Sequence, residues 1–250
     1  MVLCDKNGRI IQHINKQNGI QNNTILSSFI DSNNNLWLGL DNGITFINEN
    51  SYLTYFVSNY NLGTVYSSIV YKENLYVATN QGVFCHPWNA NFKNDNFKFI
   101  EGTASQAWNL HIINDELICA SNKGALLIKE GKMIRNLSRK GYFRLTPIPN
   151  QSKYIIGANY NGFDLFEKTT SGLKFKSKIE GINVSSSTFE IDNNYLWVKK
   201  DEYLYQITLN SNFNKAKTIK TYSELSNQDP FIGSVQKINN KIYFQANNKF

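Results

Sequence analysis

Apolar and polar residues alternate along this chain over short runs, and no stretch keeps its apolar residues at the spacing of an amphipathic helix. β-branched and aromatic residues dominate the runs, and Asn, Ser, Asp and Gly separate them, as expected of short strands joined by tight turns. One phrase recurs: an apolar triplet, a polar turn, then usually Gly and a second apolar run. The clearest copy is Leu36-Trp37-Leu38-Gly39 followed by Asp41-Asn42-Gly43-Ile44. Others are Leu75-Tyr76-Val77 with Gly82, Leu117-Ile118-Cys119 with Gly124, Tyr154-Ile155-Ile156 with Gly162, Leu196-Trp197-Val198, and Ile242-Tyr243-Phe244. The central residues 37, 76, 118, 155, 197 and 243 lie 39, 42, 37, 42 and 46 positions apart. A period near 40 built of strands predicts a β-propeller.

Each period reads as four strands. The first holds Thr24–Ile30, Leu36–Leu40, Ile44–Ile47 and Tyr52–Val57, and the later periods repeat that order. One such sheet cannot bury both its faces, so the blades are expected to stack side by side around an axis. The central residue of each triplet would then fill the space between blades, and the Gly would permit the turn into the third strand. A single all-β propeller domain over residues 1–250 follows, with blades near 18–57, 62–101, 105–137, 141–179 and 184–222. The sixth is ragged: 231–250 supplies the strands Phe231–Ile238 and Lys241–Ala246, and 1–14 supplies Val2–Cys4 and Arg9–Ile14. The circular gap from Tyr243 to Trp37 matches the period, so the two ends are expected to complete one blade. The alternative is a fragment cut from a longer propeller.

Composition changes this picture little. With 250 residues, 41% hydrophobic and 14% aromatic, the chain has ample material for a core. No apolar run reaches the ~20 residues of a membrane-spanning helix, and residues 1–20 carry no signal-peptide core. The net charge of +7 is spread along the sequence rather than gathered, which argues against direct nucleic-acid binding. Cys4, Cys85 and Cys119 sit in apolar runs without metal-site spacing and behave as small hydrophobes.

Chemistry is sparse. His13, His86 and His111 fall in or beside different strands with no recurring nucleophile nearby, so catalysis is not expected. Asp31, Asn33 and Asn35 have the spacing of a calcium loop, but its Gly and closing Glu are missing, leaving a hairpin turn. No metal or cofactor set emerges. In a propeller, ligands gather at the channel mouth, where the innermost strands begin and the turns between second and third strands converge. That register selects Asn23, Tyr66, Gln106, Trp108, Tyr142, Arg144, Tyr160 and Ser187. Aromatics beside amides suit a sugar, whose ring stacks and whose hydroxyls bond; Tyr66 and Trp108 are equally explained as packing between blades. Arg144 stands out as the one arginine on an expected inner strand, where a charge requires an anion or a partner.

The stretch from Asn18-Gly19-Ile20 through Asp31-Ser32-Asn33-Asn34-Asn35-Leu36-Trp37-Leu38-Gly39 to Asn42-Gly43-Ile44 resembles the two-component regulator propeller repeat. Ile20 stands where that repeat has Leu, and Asn34 where its turn has Gly. Residues 106–110 and 157–162 are similar to sensor propellers of Bacteroidetes regulators with a triple-tyrosine domain. The resemblance implies an extracytoplasmic, periplasmic sensor module that signals through domains downstream. Its ligand would be an oligosaccharide or other small molecule. A propeller serving as a protein-interaction scaffold is the alternative, and a propeller lyase or glycosidase would need a convergent His/Asp/Glu cluster that the sequence does not offer.

Overall fold

A computed structural model describes residues 1–48, 61–88, 97–223 and 234–244. It is almost wholly β and forms two compact units, residues 1–57 and 58–250. The strand expected over residues 52–57, much of the insertion at 86–96, and parts of the strands expected over 231–238 and 241–246 lie outside the described residues.

In the first unit, β1 (Val2–Cys4) pairs with β2 (Ile10–His13), and β3 (Ile25–Ile30), β4 (Leu36–Leu40) and β5 (Gly43–Ile47) form an antiparallel sheet. The β3–β4 turn is set by Asp31. Its Oδ1 accepts the amides of Asn33 and Asn35, both at 2.9 Å, and its Oδ2 accepts the Trp37 indole N–H at 2.9 Å. These donors favour the charged carboxylate and hold the Asp31 pKa at about 2. Asn34 takes the left-handed conformation that the turn requires, at φ 60°.

The second unit consists of antiparallel blades in sequence order. The first contains β6 (Val65–Tyr71), β7 (Asn74–Thr79), β8 (Val83–Pro87) and β9 (Lys98–Phe99). The next contains β10 (Ala107–Ile113), β11 (Glu116–Ser121), β12 (Gly124–Lys129) and β13 (Lys132–Ser138). Then come β14 (Tyr142–Ile148), β15 (Gln151–Asn159), β16 (Gly162–Thr169) and β17 (Gly172–Lys178). A fourth blade holds β18 (Phe189–Asp192), β19 (Tyr195–Lys200), β20 (Tyr203–Leu209) and β21 (Ala216–Tyr222). The hairpin β22 (Val235–Ile238) and β23 (Lys241–Phe244) follows. This is the β-propeller plan of four-stranded antiparallel blades.

Stacking explains why the second strand of each blade is apolar at successive positions. Side chains alternate between the two faces of a strand, and here both faces meet another blade. Leu117 and Cys119 pack with Tyr76 and Val83 of the preceding blade. Ile118 and Ala120 pack with Tyr142 and Leu145 of the following one. In the next blade Ile155 joins the first of those two neighbouring sides and Ile156 the second, among Phe189, Leu196 and Val198.

Register corrects one detail of the repeat. The turn pairs Thr79, Ser121, Asn159 and Lys200 stand opposite or directly before the start of the third strand, which makes Tyr76, Ile118, Ile156 and Trp197 equivalent. The phrase is therefore centred on Ile156 rather than Ile155, because a slip of one residue exchanges the two faces. Tyr76, Ile118 and Ile156 are buried between blades, whereas Trp197 is half-covered and stacks on Tyr222 at 6.4 Å. Trp37 remains 39% exposed, with its indole N–H spent on Asp31.

Candidate functional site

The first strands of successive blades lie beside one another, β6 against β10, β10 against β14, and β18 against both β14 and β22. They are the innermost strands. Polar side chains link them: the Leu110 amide donates to Ser67 Oγ at 3.2 Å, and Lys237 Nζ meets Asp192 Oδ1 at 2.8 Å. The starts of these strands share one end of the unit with the turns between second and third strands, because the Asn80 amide bonds Thr64 O and the Asn122 amide bonds Gln106 O.

At that end, β6, β10 and β14 each carry a β-bulge one residue in. The bulged residues are Tyr66, Trp108 and Phe143, which stand unpaired between Val65/Ser67, Ala107/Asn109 and Tyr142/Arg144. A bulge adds a residue to one strand only and re-aims its side chain out of the alternation. Here the same device, used in three successive blades, lines three aromatic rings up. Tyr66 and Trp108 have ring centroids 5.0 Å apart, Trp108 and Phe143 5.8 Å, and Phe143 and Tyr160 4.4 Å. Tyr160 comes from the β15–β16 turn and completes a row of four aromatics across three blades.

Amides fix the row. Gln106 Nε2 donates to the Tyr66 hydroxyl at 2.9 Å. Asn122 Oδ1 accepts both the Trp108 indole N–H at 2.8 Å and the Tyr160 hydroxyl at 2.6 Å, which also sets the orientation of that amide. Gly141 leaves the space: a Cβ there would lie 2.9 Å from Tyr160 Cε2 and 3.1 Å from Asn122 O. Tyr66 is 40% and Tyr160 52% exposed, with Trp108 and Phe143 half-buried between them. The result is a pre-set apolar strip edged by amide groups.

Four of the expected residues, Tyr66, Gln106, Trp108 and Tyr160, meet here. Tyr142 does not reach the mouth. It is fully buried, with its hydroxyl donating to Asp164 Oδ2 at 2.7 Å and 3.0 Å from Ser138 Oγ, and burial pushes its phenol pKa upward. Its neighbour Phe143 occupies the bulge instead. Arg144 turns toward β18, where Nη1 donates to Phe189 O and Nη2 to Glu190 Oε1, both at 3.0 Å, and the guanidinium lies 4.9 Å from the Phe189 ring. Its charge is matched within the protein. Ser187 is exposed in the bend before β18. Asn23 belongs to the first unit, where Oδ1 accepts the Lys16 amide at 2.7 Å.

Phe143 and Asn122 were not singled out by sequence. Asn80, Asn122 and Tyr160 occupy one equivalent turn position, two residues before Gly82, Gly124 and Gly162; aligning those turns would have drawn attention to Asn122.

Deeper along the inner strands, Asn109 Oδ1, His111 Nε2 and Thr146 Oγ1 are buried with no hydrogen-bond partner among the described residues. Burial, reinforced by the Arg144 charge, lowers the His111 pKa to about 4, so the ring is neutral at pH 7. Among the described residues no group of three or more His, Cys, Asp or Glu could hold a metal, and no helix is long and apolar enough to cross a membrane.

No family model and no curated protein matches the chain. Solved structures do match in fold. The extracellular domain of BT3049, assigned to a hybrid two-component system of B. thetaiotaomicron, aligns at 14% identity and a TM-score of 0.52, over 87% of this chain and 30% of that one. The extracellular domain of BT4673 from the same organism aligns at 16% identity and 0.48, over 87% and 36%. The WD40 propeller domain of Doa1 aligns at 15% and 0.47, over 77% and 63%. The chain thus spans about a third of the two regulator ectodomains. The class that the four-stranded antiparallel blades define is the β-propeller.

Proposed function

We propose that this chain is the ligand-sensing propeller module of a bacterial signal-transduction regulator, extracytoplasmic and without catalytic activity, and that it binds a carbohydrate at the channel mouth. The observation that carries this reading is the row Tyr66–Trp108–Phe143–Tyr160 with its flanking amides. A pyranose has apolar C–H faces and a polar rim, so it is complemented by aromatic rings with amides beside them. The tips of Trp108 and Tyr160 are already bonded to Asn122, which leaves the Asn122 amide N–H groups and the Gln106 carbonyl to meet hydroxyls. Because protein–protein bonds hold the strip in place, little side-chain entropy is lost on binding. The fold likeness to regulator ectodomains supports the signalling role, with output supplied by domains downstream.

A thermal-shift screen of the chain and its Trp108→Ala variant against neutral and acidic oligosaccharides tests the reading. Stabilisation of the parent chain by an oligosaccharide, lost in the variant, is expected. No stabilisation by any oligosaccharide would contradict it.

A second reading, a protein-interaction scaffold, draws on the first unit. Leu26, Phe29, Ile30, Ile44 and Phe46 are 69, 65, 63, 68 and 49% exposed there. Capture of a protein partner that Phe29→Ser and Phe46→Ser abolish would favour it.

A further inference from the structure

The aromatic row is built around its middle blade, and that arrangement bears on the length and shape of the ligand. Both amides belong to that blade, where the Asn122 backbone N–H donates to Gln106 O at 2.9 Å. Tyr66 reaches Gln106 from β6 of the preceding blade, and Tyr160 reaches Asn122 from the β15–β16 turn of the following one. Their hydroxyls lie 2.9 and 2.6 Å from the side-chain amides. Trp108 stands between them on β10, in ring contact with Tyr66 and sharing Asn122 Oδ1 with Tyr160. The two outer rings are the open ones, 40% and 52% exposed, and the inner pair is half-buried. Each open ring thus offers apolar surface with an amide of its own beside it.

Spacing and tilt narrow the ligand further. The ring centroids step by 5.0, 5.8 and 4.4 Å, each step close to the breadth of a single pyranose. A monosaccharide covers one open ring and leaves the other to water, and reaching from Tyr66 across Trp108 to Tyr160 takes a trisaccharide or longer. Adjacent ring planes are inclined at 44°, 66° and 61°, so the row is a set of facets rather than one flat platform. A flat ribbon or a crystalline polysaccharide surface, whose sugar faces all point one way, meets one facet only. A single chain whose residues turn relative to one another presents a face to each. Both ends of the row are exposed, so such a chain can run on past either tyrosine.

We infer that the site binds an internal stretch of a linear, twisted oligosaccharide through two stacking subsites, Tyr66 with Gln106 and Tyr160 with Asn122, on either side of Trp108. This rests on the carbohydrate reading above and specifies it. A ligand that fills one subsite meets the second within the same complex, at a high effective concentration. Affinity therefore climbs steeply with chain length until both are filled and is level beyond. Bonds within the protein already hold both tyrosines, so filling the second subsite orders little that was free.

The test measures dissociation constants of the full chain for soluble cello-, xylo-, manno-, galacto- and arabino-oligosaccharides, each series running from monosaccharide to hexasaccharide. Microcrystalline cellulose supplies the flat surface. In at least one series the tetrasaccharide is expected to bind at least about a hundredfold tighter than the monosaccharide, the low end of what joining two subsites gives, with little gain beyond it. Tyr66→Ala and Tyr160→Ala, each at an exposed ring and each with an unchanged circular dichroism spectrum, should both lose most of that rise, because one subsite remains. Tyr195→Ala, at an exposed tyrosine of the β18–β19 hairpin, should keep it. A smaller rise in every series, retention on microcrystalline cellulose, or a length dependence untouched in either Tyr66→Ala or Tyr160→Ala would overturn the inference and leave the carbohydrate reading standing. Binding of no member of any series would overturn both.

Discussion

Acidification should weaken the fold through His111, at a magnitude that follows from its place on β10. The imidazole Nε2 is buried with no partner among the described residues, and the Arg144 guanidinium adds a like charge to the burial penalty. Its pKa falls from the ordinary 6.5 to about 4. Between those two values the unfolded chain binds the proton and the folded chain does not, so stability present above pH 6.5 is lost as the pH drops toward 4. Linkage puts the loss at about 2 kcal/mol between pH 7 and pH 5, and about 3 kcal/mol by pH 4. The depressed carboxylates Asp31, Asp115 and Glu167 have ordinary values of 3.8, 3.8 and 4.5, so their own losses fall below pH 5.

The assay is urea unfolding at pH 7 and pH 5 for the parent chain and for His111→Gln, which keeps a polar group but cannot titrate. The quantity compared is the change with pH, so any uniform loss in the variant cancels. The parent is expected to lose about 2 kcal/mol more than the variant. Equal losses in both would refute the burial argument.

Three further outcomes follow from packing and turns. Gly157→Ala would place a Cβ 2.9 Å from Phe166 Cε2 and 3.0 Å from the Tyr142 ring, both fully buried. Such overpacking costs about 1–3 kcal/mol by urea unfolding, and a loss under about 0.5 would contradict it. Tyr142→Phe removes the donor to Asp164, whose side chain is wholly buried and then keeps only Lys140 as a charged partner. Destabilisation of about 1–3 kcal/mol is expected, and an unchanged midpoint would refute it. Asp31→Ala removes the acceptor of the Asn33 and Asn35 amides and of the Trp37 indole, so faster hydrogen exchange at those two amides is expected. The same acceleration should appear in the parent chain only as the pH falls toward 2; exchange unchanged in the variant would contradict the role given to Asp31.

Much of the architecture is written in local pattern, because each blade is made of hairpins whose turns and alternation are short-range. The strands expected over 24–30, 36–40 and 44–47 agree with β3, β4 and β5 to within a residue. The slip between Ile155 and Ile156 arose because both neighbours are apolar and only pairing to β16 decides which face each takes. The mouth was half legible. Tyr66, Gln106, Trp108 and Tyr160 follow from position in the repeat, but Tyr142 and Phe143 exchange roles through a bulge that no local residue announces. Arg144 looked unmatched because its partners, Phe189 O and Glu190, are 45 and 46 residues away on the next inner strand. Charge compensation across blades is a property of the stack, invisible to any one strand.

The central claim is that the bulge-built aromatic row recognises a ligand. Indole N–H signals in a proton–nitrogen correlation spectrum report on it directly, because the four tryptophans, Trp37, Trp88, Trp108 and Trp197, have distinct surroundings. Titration with an oligosaccharide that stabilises the chain is predicted to shift the Trp108 signal, assigned by its loss in Trp108→Phe, and to leave the Trp37 and Trp197 signals in place. Stabilisation with the Trp108 signal unmoved would contradict the claim.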